Sequence, residues 1–161
     1  MSIEELEKTL NGGTRSSKYR LNFTLPNGVG GDVRTLQILA KSTTLPGKDR
    51  GQIEIKKLGK TRRIKGDDVT TSTWNCTFQL SSKPQEIIKT MHEWYDLEDE
   101  SAYKVTMTAD LLDLQNEVTF TYKLEGVFVL NLPTIAVSSE DTDTLLEYDV
   151  TFSVDNINAA E

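Results

Sequence analysis

The chain has 161 residues, a formal net charge of -7, and 37% hydrophobic and 27% charged side chains. That length buries one sizeable core and no Pro-, Gly- or Ser-rich stretch divides it, so one domain over residues 18–161 is expected, behind an N-terminal arm at 1–17. No apolar run approaches the roughly 18 residues of a membrane-spanning helix. "MSIEELEKTLNGG" lacks a basic stretch followed by an apolar one, so no secretion segment is expected and the chain is read as made in a cytoplasm. The single cysteine, Cys76, cannot bridge within the chain, which agrees with a reducing compartment. The sequons at Asn22 and Asn75 then read as chance matches.

Residues 1 to 14 carry a short amphipathic pattern, Ile3, Leu6 and Leu10, ended by Asn11-Gly12-Gly13, a turn or helix stop. An arm with little fixed structure in the monomer is expected. From Lys18 the period is two: Tyr19, Leu21, Phe23 and Leu25 alternate with Arg20, Asn22 and Thr24. "PNGVGGD" reads as a reversal and Thr35 to Ala40 as a second strand, which predicts a hairpin over 18–41. The glycines there do not make a dinucleotide loop, because the third glycine of that fingerprint is absent and no helix is expected to follow.

A long excursion runs from Leu45 to Asp68, and the period-two signal then returns at Trp74-Cys76-Phe78-Leu80. It recurs at Val105-Met107-Ala109, at Val118-Phe120-Tyr122-Leu124 and at Leu146-Tyr148-Val150-Phe152-Val154. The alternate positions are hydroxyls, amides and acids, giving a long polar face poor in bases. One helix interrupts the strands: "SSKPQEIIKTMHEWYDLED" sets Ile87, Ile88, Met91, Trp94 and Tyr95 at spacings of three and four, with Pro84 and Glu86 at its start. The pattern predicts a mainly β fold, antiparallel, of about six to eight strands with one covering α-helix.

Catalytic constellations are missing. His92 has no nucleophile at readable spacing, and Cys76 lies on the apolar face of its strand, where a small buried hydrophobe is expected. Asp96, Glu98, Asp99 and Glu100 form a run without the alternation and central glycine of a calcium loop. Glu147, Asp149 and Asp155 share a face, but a polar lining accounts for them without a raised pKa. No enzymatic activity, metal or cofactor is expected, and no small-molecule substrate.

Charge is split along the chain: residues 48 to 65 hold eight basic and two acidic side chains, residues 86 to 161 three basic and seventeen acidic. Such a dipole favours head-to-tail contact between copies. As a nucleic-acid patch the basic segment would need aromatic readers, and residues 48 to 66 contain none. Ile53, Ile55, Leu58 and Ile64 punctuate it instead, which suits a protein surface.

Four stretches in order, "LQILAKSTTLPGKDRGQIEI" (36–55), "RRIKGDDVTTSTWNCTFQL" (62–80), the helix bearing Trp94, and "LEGVFVLNLPTIAVSSEDTDTLLEYDVTFSVDNI" (124–157), resemble the tail tube proteins of contractile bacteriophage tails. The resemblance covers roughly residues 18 to 157 and extends in fold to the tube protein of type VI secretion and other contractile injection systems. It implies an antiparallel β-sandwich or partial barrel with one flanking α-helix, assembling as hexameric rings stacked head to tail, the sheets of neighbouring subunits joining into one large inner β-barrel. It also implies a sheath, a tape-measure protein, baseplate and tail-terminator proteins as partners, and DNA passing through without specific binding. The place so implied is a virion tail assembled in the host bacterial cytoplasm. A tube-initiating baseplate protein or a secretion-system tube would share the fold. A DNA-binding module built on the basic segment is the rival from another class.

The residues fit a conduit on their own terms, since cationic contacts with phosphate would stall a passing DNA. The candidates for a lumen are Glu147, Asp149, Thr151, Ser153 and Asp155, with Thr119 and Thr121 beside them. Edge strands that pair with a neighbour close the sheet, and a stacked array needs two different complementary ends. Lys48, Arg50, Lys56, Lys57, Lys60, Arg62, Arg63 and Lys65 are the candidates for one end. Their acidic mates are sought among Asp96, Glu98, Asp99 and Glu100 or among Glu140, Asp141 and Asp143.

Overall fold

A computed structural model of the chain describes residues 2–70, 73–140 and 144–160. Its strands are β1 (Tyr19–Asn22), β2 (Ala40–Thr44), β3 (Lys48–Lys57), β4 (Lys60–Thr70), β5 (Thr73–Gln79), β6 (Val105–Leu112), β7 (Val118–Asn131), β8 (Glu147–Ser153) and β9 (Asn156–Ala160). Seven of them form one antiparallel sheet in the order β1-β6-β7-β8-β5-β2, with β9 paired to β7; β3 and β4 form a separate two-stranded ribbon.

The fourteen-residue β7 serves both halves of the sheet. Up to Glu125 it lies between β6 and β9, and from Phe128 it pairs with β8. Leu124 is buried before Gly126, Val127 and Val129 after it. The inward phase therefore slips by one residue at Gly126, whose φ of +66° is costly for any residue with a Cβ. The sheet bends there, and Leu21, Met107 and Leu124 of one half join Trp74, Phe78, Val150 and Phe152 of the other in one buried cluster. The Tyr19 hydroxyl on β1 donates to the Lys41 carbonyl on β2 at 2.8 Å, so the two end strands of the sheet nearly meet. The result is a mainly antiparallel β fold in the form of a partial barrel.

The flanking helix is α3 (Gln85–Tyr95), the third of four helical segments in the described residues. Its stripe buries Ile87, Met91 and Trp94. The Trp94 ring lies 5.5 Å from Phe152, and its indole N–H donates to the Tyr103 carbonyl at 2.8 Å. Tyr95, at the rim of the stripe, stays exposed.

Three expectations are corrected. Residues 18–41 are not a hairpin: β1 pairs with β6 and β2 with β5, while Val33–Leu39 between them is a helix, α2. The Asp32 carboxylate caps it, accepting from the Arg34 N–H at 3.0 Å and the Thr35 hydroxyl at 3.2 Å. Val33, Leu36 and Leu39 also stand at helical spacing, and Leu36 is fully buried. A helix thus does follow the glycines, with a carboxylate already seated at its start. The arm is not structureless either. Ile3–Leu10 forms α1, with Ser2 and Glu5 in a reciprocal capping box and Asn11 left-handed at its end, and no residue of it is buried.

The third correction is at the C-terminus, where a ninth described strand, β9, follows the Leu146-to-Val154 alternation, against the six to eight strands expected. Among its described side chains only Ile157 is buried. One apolar residue is too short a signal for period two. The short α4 (Glu100–Tyr103) winds within the acidic run after α3.

Candidate functional site

Register places the four candidate lumen residues of β8 on one side of the sheet. Glu147 stands opposite Gln79, Asp149 opposite Thr77, Thr151 opposite Asn75 and Ser153 opposite Thr73. The next strand adds Ser42 beside Thr77 and Thr44 beside Asn75. Tyr148, Val150 and Phe152, which alternate with them on β8, are all buried, so this face is the solvent side. Hydrogen bonds tie it laterally: Thr77 donates to the Asp149 carboxylate and Thr151 to the Asn75 side-chain carbonyl at 3.0 Å.

Thr119 and Thr121 belong to the same side of the other half. There Arg20, Asp110 and Thr121 face one another across β1, β6 and β7, followed by Asn22, Thr108 and Lys123, with Asn158 of β9 beyond. Thr119 donates to the Leu111 carbonyl at 3.1 Å, Thr121 to the Asp110 carboxylate at 2.8 Å. Asp155 lies in the bend between β8 and β9, so of the seven candidates it is the one outside a strand.

The charges on this side are paired rather than uniformly negative. Lys41 holds Glu147, Lys104 holds Asp155 at 2.9 Å, Arg20 holds Asp110 at 3.1 Å and Lys123 reaches Glu125 at 3.4 Å. Among the described residues Asp149 is the carboxylate of this side without a cationic partner. Burial by itself would push the Asp110 carboxyl up; donors from Asn22, Thr121 and Arg20, with the Arg20 charge, outweigh it and hold the group below the ordinary value. The Asp155 hydrogen bond, reinforced by Glu100, raises Lys104, so that cation persists at any physiological pH. Sequence reasoning saw the acids but not Lys41, Arg20 and Lys104, because their partners are 106, 90 and 51 residues away.

The eight basic candidates all lie on the β3–β4 ribbon, which projects from the sheet with every described side chain but Gly66 exposed. Leu58 and Gly59, at φ +53° and +72°, turn it. Ile53 pairs with Ile64, Ile55 with Arg62 and Lys57 with Lys60, so three isoleucines and three cations share one side. The other side carries Gln52, Glu54, Lys56, Arg63 and Lys65, with Arg63 and Glu54 3.3 Å apart. Lys48 and Arg50 sit at its base. Of the proposed acidic mates, Asp96 and Glu98 stand exposed after α3. Asp99 caps α4 and Glu100 is paired to Lys104 at 3.0 Å. Glu140 is exposed, and Asp141 and Asp143 lie outside the described residues.

Cys76 is buried, and that burial, with the Asp149 charge nearby, pushes its thiol up to about 12. His92 is exposed on α3. No three His, Cys, Asp or Glu side chains among the described residues converge on a metal-sized point.

No family model matches the sequence, and no curated protein sequence matches it. Solved structures do. A chain of the extended sheath-tube complex of the extracellular contractile injection system PVC superposes with a TM-score of 0.71 at 13% identity, over 99% of this chain and 98% of its own. This chain has the tail-tube fold of contractile injection systems. A chain of the PVC sheath/tube terminator follows at TM-score 0.68 and 12% identity, over 91% of this chain and 96% of that one. The tube-terminating cap of the anti-feeding prophage gives 0.69 at 12% identity, over 91% and 90%.

Proposed function

We infer that this chain is a structural, non-catalytic subunit of a tail tube, its copies seaming edge to edge into hexameric rings that stack head to tail around a hollow bore. The observation that carries this is the single polar side running across the seven-stranded sheet, its charges paired and its hydroxyls tied to neighbouring strands. A face of that kind presents a wetted wall with little net charge, one that neither grips nor strongly repels a passing polymer. Glu147, Asp149, Thr151, Ser153 and Asp155, with Thr119 and Thr121, line the bore in this reading. The open edges of β2 and β9 offer backbone groups for a neighbour's sheet, which would merge the sheets into one inner barrel. The basic ribbon reaches the next ring, where Asp96 and Glu98 are its acidic mates. The outer wall meets a sheath; a tape-measure protein, baseplate and tail-terminator proteins complete the assembly, in a virion tail put together in the bacterial cytoplasm.

The purified protein examined by negative-stain microscopy tests this: rings or tubes with a stain-filled bore are expected. Persistent single copies at every salt concentration would overturn it. A second reading, the tube of an injection particle rather than of a DNA-carrying tail, is favoured by the paired charges of the polar side and by the particles to which the matched chains belong. Nucleic acid recovered from intact particles separates the two. A DNA-binding role for the ribbon predicts micromolar, steeply salt-dependent binding in a gel-shift assay.

A further inference from the structure

Two amphipathic surfaces of this chain have no cover within it. The first is α1, where Ile3, Leu6 and Leu10, at 75%, 44% and 57% exposure, fall on one stripe. Glu7 flanks that stripe, whereas Glu4 stands one turn before Lys8 toward the far side of the helix. The second is the ribbon side made by Ile53, Ile55 and Ile64, at 52%, 49% and 50% exposure, with Lys57, Lys60 and Arg62 around them. None of these three cations has an ion-pair partner among the described residues. Exposed apolar side chains clustered on a soluble chain mark contact surfaces.

We propose that α1 of one copy docks by its Ile3-Leu6-Leu10 stripe onto the isoleucine side of the β3–β4 ribbon of a second copy, with Glu7 at the edge of the stripe against Lys57, Lys60 and Arg62. Both the apolar and the charged parts match, and neither surface matches itself: two α1 helices would oppose acids and two ribbons would oppose bases. The contact is heterologous and repeats along a stack. The arm can reach outward because Asn11, Gly12 and Gly13, all at positive φ, follow α1. With three apolar residues a side the contact is small beside the roughly 800 Å² per partner of a stable interface. The arm therefore acts as a clasp on copies that larger surfaces already hold.

This inference rests on the tube reading for its setting, and disulfide trapping separates the two. The chain carrying Leu6→Cys and Ile55→Cys together is assembled and oxidised mildly; buried Cys76 supplies no competing thiol. A ladder of covalent multimers on a non-reducing gel is expected, lost when Lys8→Cys, on the opposite side of the helix, replaces Leu6→Cys. Mixing the two single-cysteine chains should give a covalent dimer. Tubes without a ladder overturn the clasp and leave the tube reading standing; a ladder without tubes keeps the clasp and removes the tube. Neither ladder nor tubes overturns both, and a cross-linked single chain in place of the ladder overturns the clasp by showing that the arm folds onto its own ribbon.

Discussion

Asp155 packs so closely on Gly126 that a Cβ added to the glycine would lie 2.2 Å from the Asp155 Oδ2 atom. The contact sits where β7 passes from one half of the sheet to the other, and the Asp155 N–H donates to the neighbouring Glu125 carbonyl at 2.9 Å. Gly126→Ala therefore carries two penalties: a left-handed backbone that costs an alanine about 1–2 kcal/mol, and displacement of Asp155 from Lys104. The denaturation midpoint in urea should fall by the equivalent of about 2 kcal/mol or more. An unchanged midpoint would mean that the bend does not depend on the glycine.

The same glycine shows what could be read in advance. Periodicity marked the strands around Trp74, Met107 and Tyr148 and the helix of Trp94, because each buries two or more apolar side chains on one face. It could not mark β9, where Ile157 alone is buried among the described side chains, nor choose between strand and helix at Val33–Leu39, where seven residues fit either period and the Asp32 cap decides. The acids of the polar side were legible as a row. That Lys41, Arg20 and Lys104 neutralise them was not, since ion pairing across strands depends on register and not on local pattern.

Asp110 makes an acid-sensitive joint between β1, β6 and β7. Its folded value lies below the ordinary one, so the unfolded chain takes up the proton first as pH drops. The stabilisation is present above the unfolded value of about 3.9 and is lost as pH falls through the folded one. Asp110→Asn should cost about 2 kcal/mol at neutral pH, the scale of hydrogen bonds to a charged group, discounted from a fully buried pair because Arg20 is 42% exposed. It should also flatten the acid limb of a midpoint-against-pH curve. Equal slopes for the variant and the parent chain would remove Asp110 from that role.

Cys76 should be silent toward thiol reagents in the folded chain. Burial pushes the thiol to about 12, so little thiolate exists at pH 8, and no path leads to it. Mass spectrometry after iodoacetamide should find one added group in denaturant and none in buffer. Rapid labelling in buffer would show that β5 opens from the sheet.

Arg62 and Arg63 point to opposite sides of the ribbon, so reversing both tests the whole projecting element. Arg63 loses its pair with Glu54, but the two side chains are 60% and 48% exposed, and pairs so placed contribute about 0–1 kcal/mol. Arg62→Glu/Arg63→Glu should therefore leave the thermal midpoint within a degree or two of the parent. Assembly should suffer, because four units of charge change at each contact with a neighbour's acids and acidic arm. In sedimentation at low salt the variant should stay as rings or single copies where the parent pellets as tubes. Raising ionic strength should lengthen the variant's assemblies and shorten the parent's, since salt screens repulsion in one and attraction in the other. Tubes of parental length from the variant at low salt would take the ribbon out of the stacking contact.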